Sequence, residues 1–289
     1  MPQSEIQLPT AWGRLAGTLV LPEGPGPWPA VVLVAGSGPT DRDGNTPLLP
    51  SAIDNLKRLA EELAGHGIAS LRYDKRGLGA SLCPGLSEEA LRFEHLVDDA
   101  ALLAGHLAQD ARISRVVLAG HSEGALVAAL AAQGMPVQAV VSIAGAGRRA
   151  SCLIREQVEA QLPPGLLASA RQALDALEQE QPVADVPDDL VLLFRPSVQP
   201  YLISWFRHGP AVVLARLEIP VLLVHGCADA QLPPQDARLL QAAQPQARLR
   251  LIDGMDHILA IGGSVAAGTG LIAAEMSAWL QALELDVPA

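Results

Sequence analysis

The chain has 289 residues, which fits one large domain or two small ones. Hydrophobic residues make up 49% of it and aromatic residues only 3%, so a substantial core must be mainly aliphatic. The net charge of −11 argues against a nucleic-acid partner and against an anionic membrane surface, and we interpret it as favouring solubility.

The cysteines and the N-terminal residues predict a cytoplasmic protein. Cys83, Cys152 and Cys227 form an odd, sparse set, which favours reduced thiols over disulfides. The N-terminal residues lack the basic start and apolar stretch of a signal peptide. No apolar run approaches the ~18 residues of a membrane-spanning helix. We therefore expect no membrane partner, and the sequence does not define an oligomeric state.

The first half of the chain alternates predicted strands and helices. Apolar, β-branched runs predict strands, and apolar residues at helical spacing predict helices. The continuous apolar run at residues 30–35 is typical of a strand that is buried on both faces. The predicted strands cover residues 6–21 (two strands with a turn at 12–14), 30–35, 68–73, 116–119 and 137–144, and the predicted helices cover 51–64, 93–107 and 125–132.

From about Arg148 to Arg216 this alternation stops. Prolines separate short helical patterns here, and four of the scarce aromatic residues gather in the second half of the segment. These aromatic side chains would either form a wall facing a substrate or dock the segment on the rest of the molecule. The helical patterns cover residues 157–162, 166–179, 188–194 and 201–206, and the aromatic residues are Phe194, Tyr201, Trp205 and Phe206.

The alternation resumes after this segment. A buried strand is predicted at residues 220–225, a helix at 233–243, a last strand at 248–252 and a closing helix at 271–283. Strands that alternate with helices predict a mostly parallel central sheet flanked by helices, which is an α/β fold.

A serine lies at the abrupt turn between the strand at 116–119 and the helix at 125–132. The turn reads Gly120-His121-Ser122-Glu123-Gly124. Gly-x-Ser-x-Gly in this setting is typical of the nucleophile elbow of α/β-hydrolases. The serine there has a strained backbone conformation, and the glycines avoid a collision with the crossing backbone. We therefore predict that Ser122 is a nucleophile.

A serine hydroxyl needs a general base, and the base needs an orienting acid. Asp229 follows the strand at 220–225, and His257 follows the strand at 248–252. Both residues are thus expected at the sheet edge that carries Ser122. The order Ser, Asp, His along the chain is also that of α/β-hydrolases.

Other residues compete for both roles. His121 and His225 are alternative bases, but the first should point away from its neighbour Ser122 and the second should be structural. Asp253 and Asp256 are alternative acids, but a residue directly beside His257 rarely reaches the imidazole nitrogen in line. We therefore favour His257 as the base and Asp229 as the acid.

A loop rich in Gly, Asp and Asn at residues 36–45 follows the buried strand at 30–35. Its position indicates that the backbone N–H of Ser37 contributes to an oxyanion hole, together with that of Glu123 at the start of a helix. Asp41-Arg42-Asp43 in this loop would either contact the substrate or form a local ion pair that shapes the loop.

Four segments carry a resemblance to a known family: Gly36–Gly44, Arg72–Gly79, Gly120–Gly124 and Gly254–His257. On these motifs the chain resembles the α/β-hydrolase superfamily over nearly its whole length, and more closely the bacterial EstD-like carboxylesterases. The resemblance implies a core of residues 1–147 and 217–289 with an inserted helical lid at 148–216. It also implies hydrolysis of a small-molecule ester through an acyl-enzyme on Ser122, with no cofactor. We expect no metal either, because the sequence shows no cluster of metal ligands.

Three functions compete on this basis. The first is a carboxylesterase acting on esters of small or short acyl groups, with Trp205, Tyr201 and Phe206 contacting the substrate. The second is a serine peptidase or amidase, which needs a site for a peptide terminus that Asp41, Arg42 or Glu123 could supply. The third is a non-catalytic ligand-binding protein, and the complete set of Ser, His and Asp counts against it. No Glu-Glu pair that would anchor a peptide amino terminus lies in the inserted segment, which favours the esterase.

Overall fold

The computed structural model describes residues 1–285, and eight strands in this part of the chain form one sheet in the order β1-β2-β4-β3-β5-β6-β7-β8. The strands are β1 (Gln3–Thr10), β2 (Gly13–Val20), β3 (Trp28–Val34), β4 (Ala69–Tyr73), β5 (Ile113–His121), β6 (Ala139–Ile143), β7 (Val221–Gly226) and β8 (Arg248–Ile252). The pairs β1–β2 and β2–β4 are antiparallel, and all pairs from β4 onward across the sheet are parallel. The predicted α/β fold with a mostly parallel sheet is confirmed.

Ten α-helices accompany this sheet within residues 1–285. They are α1 (Asn55–Gly65), α2 (Phe93–Ala108), α3 (Glu123–Ala132), α4 (Ala150–Gln161), α5 (Pro164–Glu178), α6 (Val191–Phe194), α7 (Gln199–Phe206), α8 (Pro210–Leu214), α9 (Pro234–Ala243) and α10 (Val265–Leu285). Short 3₁₀ turns lie at Glu88–Ala90 and Asp188–Leu190. No helix in this described part is long and apolar enough to cross a membrane.

Several helix boundaries differ from the predicted ones. The closing helix α10 begins well before residue 271, because its glycines had hidden the helical pattern. Gly268 lies inside this helix where it packs closely on a loop: a Cβ there would come 1.9 Å from the Leu259 carbonyl oxygen. Helix α1 begins at Asn55 rather than near residue 51, because Asp54 before it has a left-handed backbone, with φ of 53°.

Two aliphatic cores cover the two faces of the sheet. Alternate residues of the buried strand β3 point into them, Val32 into one core and Leu33 into the other. Helices α2, α3 and α9 cover the first face, and α1 and α10 cover the second. This arrangement explains why the inner strands are continuous apolar runs instead of alternating ones.

The segment between β6 and β7 holds α4 to α8 and has an apolar cluster of its own. That cluster includes Leu174, Leu177, Phe194 and Phe206, all buried. The division into a core of 1–147 and 217–289 with a lid at 148–216 stays a prediction, and residues 286–289 of that core lie outside the described residues.

Candidate active site

The turn between β5 and α3 is a strained elbow centred on Ser122. Its φ of 55° and ψ of −119° lie in a region that residues other than glycine rarely adopt. The backbone crosses itself closely on both sides. A Cβ on Gly120 would lie 1.9 Å from the Gly124 carbonyl oxygen, and one on Gly124 would lie 2.3 Å from that of Val34. Only glycine fits at either position, so the sequence pattern follows from this geometry.

Ser122, His257 and Asp229 form one hydrogen-bonded row. The Nε2 atom of His257 lies 3.1 Å from Ser122 Oγ, and its Nδ1 atom lies 2.7 Å from Asp229 Oδ2. Asp229 follows β7 and His257 follows β8, and these two strands are parallel neighbours. Their carboxyl ends therefore meet at the same sheet edge as the elbow after β5.

The Asp229 carboxylate is buried and held by the loop around it. Its Oδ1 atom accepts the backbone N–H groups of Gln231 and Leu232, at 2.9 and 2.8 Å. Burial alone would raise the pKa of this carboxyl. The hydrogen bond from His257 and the electrostatic attraction of His257 and His225 instead hold its pKa below the ordinary value. The competing acid Asp256 instead accepts the backbone N–H of Ala260, at 2.8 Å.

Two further histidines, His121 and His225, lie beside the Ser122–His257–Asp229 row. His121 points away from Ser122, and its Nε2–H donates to the carbonyl oxygen of His257 at 2.8 Å. Burial, and then the positive charge of His257, lower the pKa of His121 to about 4. The Nε2–H of His225 donates to the Leu232 carbonyl oxygen at 2.7 Å, and the same nitrogen lies 3.7 Å from Asp229 Oδ2. Both side chains support the loops that carry the row.

The loop after β3 places Ser37 against the elbow. Ser37, Ser122, Glu123 and His257 all line one cavity. The sequence analysis missed Lys75, a buried side chain that donates to the backbone carbonyl oxygens of this loop. It lies in the charged glycine turn after β4, and because β4 is the parallel neighbour of β3, this turn is expected beside the Ser37 loop.

Two residues of the triplet Asp41-Arg42-Asp43 form ion pairs that shape the loop, as one of the two interpretations expected, and the Asp41 carboxylate accepts backbone N–H groups of the same loop. Arg42 pairs with Asp74 at 2.8 Å and with Glu5 at 2.6 Å, and Asp43 pairs with Arg72 at 2.7 Å. The partners lie on β1, on β4 and in the turn after β4, rather than within the triplet. None of the three side chains lines the cavity that holds Ser122.

The cavity above Ser122 has a volume of about 500 Å³ and lies between the sheet edge and the inserted helices. Two of the three predicted substrate-contacting aromatics, Tyr201 and Trp205, line it. The third, Phe206, packs inside the apolar cluster of the inserted segment and is absent from the cavity lining. The other lining residues from this segment are mainly apolar, among them Leu153, Ile154, Leu192, Leu193, Val198 and Leu202.

The aromatic residues of α7 also dock the segment on the core. The ring of Phe93 on α2 stacks on Trp205, with centroids 5.8 Å apart and planes 6° apart. The centroid of Tyr201 lies 6.1 Å from that of Phe93. Tyr201 and Trp205 therefore do both things that the sequence analysis offered as alternatives: they line the cavity, and they dock the segment on the core.

Glu123, the residue after the elbow serine, has a buried side chain and belongs to the cavity lining. Burial raises the pKa of its carboxyl, and the positive charge of Lys75 and the Tyr201 hydroxyl only partly oppose this. In turn, burial and this carboxyl raise the pKa of Tyr201 well above its ordinary value.

Comparison of the sequence with known proteins identifies relatives. The family model Hydrolase_4, described as "Serine aminopeptidase, S33", matches residues 51–261. Esterase EstD of Thermotoga maritima is 31% identical over 252 residues, which are 86% of this chain and 58% of that protein. The chain thus spans less than two thirds of the length of this relative.

Comparison of the structure identifies the same fold in solved esterases. Est1E from Butyrivibrio proteoclasticus, with ferulic acid bound, has a TM-score of 0.67 and 18% identity, over 94% of this chain and 97% of that one. The esterase domain of a Rhodothermus marinus protein has a TM-score of 0.61 and 20% identity, over 96% and 97%. At these identities the likeness establishes the fold alone.

Proposed function

The chain belongs to the Hydrolase_4 family (serine aminopeptidase, S33) of α/β-hydrolases, and from this premise we propose that it is a carboxylesterase-type serine hydrolase. The observation that carries the proposal is the row of Ser122, His257 and Asp229 at hydrogen-bond distances. The identity to an esterase over most of this chain supports ester hydrolysis as the reaction.

The reaction follows from these positions. Ser122 Oγ attacks the ester carbonyl carbon while His257 Nε2 takes its proton, and Asp229 keeps the proton on Nδ1 in place. The backbone N–H groups of Ser37 and Glu123 hold the oxyanion, and such donors contribute about 10²–10³ in rate each. The tetrahedral intermediate collapses, and the alcohol leaves with the proton from His257. A water molecule that His257 deprotonates then attacks the acyl-enzyme, and the acid is released.

The size and lining of the cavity support the proposal that the substrate is a small-molecule ester with a small or short acyl group. Its volume of about 500 Å³ lies within the ~300–1,000 Å³ of typical small-molecule sites. Leu153, Ile154 and Trp205 give the inserted helices an apolar surface that suits an acyl chain. In this proposal residues 148–216 act as the lid, and Tyr201 and Trp205 contact the substrate.

The family description raises an aminopeptidase as the second candidate. Such an enzyme needs a carboxylate that pairs with the substrate's free ammonium group. In the described part of the cavity lining, Glu123 is the one residue with a carboxyl group, and burial raises its pKa. Arg148 and Arg195 also line the cavity, where each pairs with a carboxylate, and neither side chain can bind an ammonium group. These features favour the ester.

The test compares the two bond types on one enzyme. We expect kcat/KM for p-nitrophenyl acetate and butyrate to exceed that for aminoacyl p-nitroanilides, because an amine leaves less readily than an alcohol. Faster anilide cleavage would assign the peptidase function instead. The same assays with EDTA test the expectation that no metal takes part, which a loss of activity would contradict.

A fluorophosphonate probe with peptide mass spectrometry identifies the nucleophile. We expect one adduct, on Ser122, and none in Ser122→Ala, which should also lose ester turnover. An adduct on another residue, or active protein that resists the probe, would contradict the acyl-enzyme mechanism.

A further inference from the structure

A lysine is buried beside the proposed oxyanion hole. Lys75 is one of two lysines in the chain, and its side chain is 5% exposed. Its Nζ atom lies 2.6 Å from the carbonyl oxygen of Gly36 and 2.6 Å from that of Gly38. These two residues flank Ser37. Burying an ammonium group costs free energy, so its position against two neutral carbonyl oxygens calls for a physical reason.

The geometry of one peptide unit connects Lys75 to the reaction. The Gly36 carbonyl and the Ser37 N–H belong to the same planar trans peptide, so they point in opposite directions. An ammonium group that holds the carbonyl oxygen on one side therefore directs the N–H to the other side. A Cβ built on Gly36 would lie 3.4 Å from Ser122 Cβ, so this peptide lies directly beside the nucleophile.

The neighbouring residues fix the same loop. The Thr40 hydroxyl donates to the Ser37 carbonyl oxygen at 2.7 Å, and the Thr40 N–H donates to the Gly38 carbonyl oxygen at 2.8 Å. Gly38 has a φ of 72°, which a residue with a side chain rarely adopts. The conformation of Ser37 is thus set before any substrate binds.

We propose that Lys75 is a positioning residue of the oxyanion hole, whose ammonium group orients and polarises the Gly36–Ser37 peptide so that the Ser37 N–H becomes a stronger donor. Hydrogen bonds in a chain polarise one another, and a fixed cation stabilises developing negative charge strongly where water is excluded. The proposal rests on the esterase function proposed above, since it concerns the oxyanion of that reaction.

The two short contacts of Lys75 indicate that its amine is protonated. N–O distances as short as these are typical of charge-assisted hydrogen bonds. Burial lowers the pKa of Lys75, and the buried carboxyl of Glu123 opposes that change. The same carboxyl belongs to the residue whose N–H is the second proposed oxyanion donor.

The test separates this role from that of an ordinary structural contact. Lys75→Met keeps the length of the side chain and removes both the charge and the donor, and Lys57→Met on α1 is the matched control. For each variant, kcat and KM are measured with p-nitrophenyl butyrate, and the melting temperature is recorded. Inhibition constants are measured for a trifluoromethyl ketone, which forms an oxyanion on the serine, and for the corresponding alcohol, which cannot.

In Lys75→Met we expect kcat to fall by about 10²–10³, as for the loss of an oxyanion donor, with a matching loss of ketone affinity. KM and the affinity for the alcohol should stay within about threefold of the wild type. Lys57→Met should leave kcat, KM and both inhibition constants unchanged. Lys75→Arg, which keeps a cation, should recover part of kcat.

Two results would overturn the proposal. One is a kcat in Lys75→Met within about threefold of the wild type. The other is an equal loss of affinity for the ketone and the alcohol, since a collapsed loop would weaken both. If Lys75→Met does not fold, Lys75→Gln, a neutral donor, undergoes the same measurements with the same criteria. Failure of the esterase function would appear instead in the wild type, as an absence of ester turnover.

Discussion

The side chain of Asp229 is oriented before it meets His257. One carboxylate oxygen accepts two backbone N–H groups, and the other faces His257 Nδ1 at 2.7 Å. The acid therefore cannot turn away from the imidazole without losing those bonds. This geometry leads to a ranking of Asp229 above Asp256 as the acid.

We predict that Asp229→Asn lowers kcat for ester hydrolysis by about 10⁴, because the amide favours the wrong imidazole tautomer. Asp256→Asn is the matched control. It removes a carboxylate that accepts the Ala260 N–H in the same loop, and should cost less than about tenfold. Steady-state kinetics of both variants check the ranking, and the reverse order would reassign the acid.

His121 predicts how stability depends on pH. Its pKa of about 4 in the folded protein lies below its ordinary value of 6.5. Between these two values the unfolded chain binds a proton that the folded protein does not. Stability should therefore fall as the pH is lowered from about 6.5 to about 4, by about 3 kcal/mol through this residue.

Urea unfolding at pH 7 and at pH 4 measures this contribution. His121→Gln keeps a neutral donor for the His257 carbonyl oxygen and removes the titration, so its free energy of unfolding should depend less on pH. His66→Gln on the exposed surface is the control and should behave as the wild type does. Equal pH dependence in all three proteins would show that His121 does not carry the effect.

At the scale of elements, α7 joins the cavity to the core. Tyr201 and Trp205 are one helical turn apart and face both the cavity and Phe93 of α2. The Phe93 N–H also donates to Ser204 Oγ at 2.8 Å. Phe206 lies on another face of the helix and packs inside the inserted segment. One short helix thus forms a wall of the cavity and also attaches the segment.

We predict that Trp205→Ala shifts the acyl preference towards longer chains and also lowers stability by about 2–3 kcal/mol, since it enlarges the cavity and removes the stacking on Phe93. The measurements are kcat/KM for p-nitrophenyl esters from acetate to decanoate, and urea unfolding. Phe206→Leu is the control and should reduce stability while leaving the ratio between esters unchanged. If kcat/KM in Trp205→Ala changes by the same factor for all acyl lengths, Trp205 serves only to dock the segment on the core.

At the scale of the whole molecule, one sheet edge and one inserted segment form the cavity. Ser122 and His257 are 135 residues apart in sequence and meet because their strands belong to the same parallel sheet. Arg148, which lies just before α4 in the segment between β6 and β7, pairs at 2.8 Å with Asp236 of α9, whose side chain is fully buried. The same carboxylate accepts the Gly147 N–H at 2.9 Å, so the start of the segment is fixed to the core.

The sequence by itself determined the alternation of strands and helices, the parallel sheet and the strand ends at which Ser122, Asp229 and His257 lie. These features depend on local periodicity, and on the rule that the carboxyl ends of parallel strands meet at one edge. The sequence also predicted the elbow from its two glycines, because the requirement for glycine there comes from the local backbone conformation.

Only the tertiary structure decided which side chains meet across elements. In the sequence, Lys75 lies in a charged glycine turn and has the pattern of a solvated residue. In the structure, the pairing of β3 with β4 places it against the carbonyl oxygens of Gly36 and Gly38. The separation of Phe206 from Tyr201 and Trp205 likewise depends on what packs against each face of α7. Such contacts are set by the packing of residues far apart in sequence, whereas the periodicity of one segment specifies only that segment's own backbone and faces.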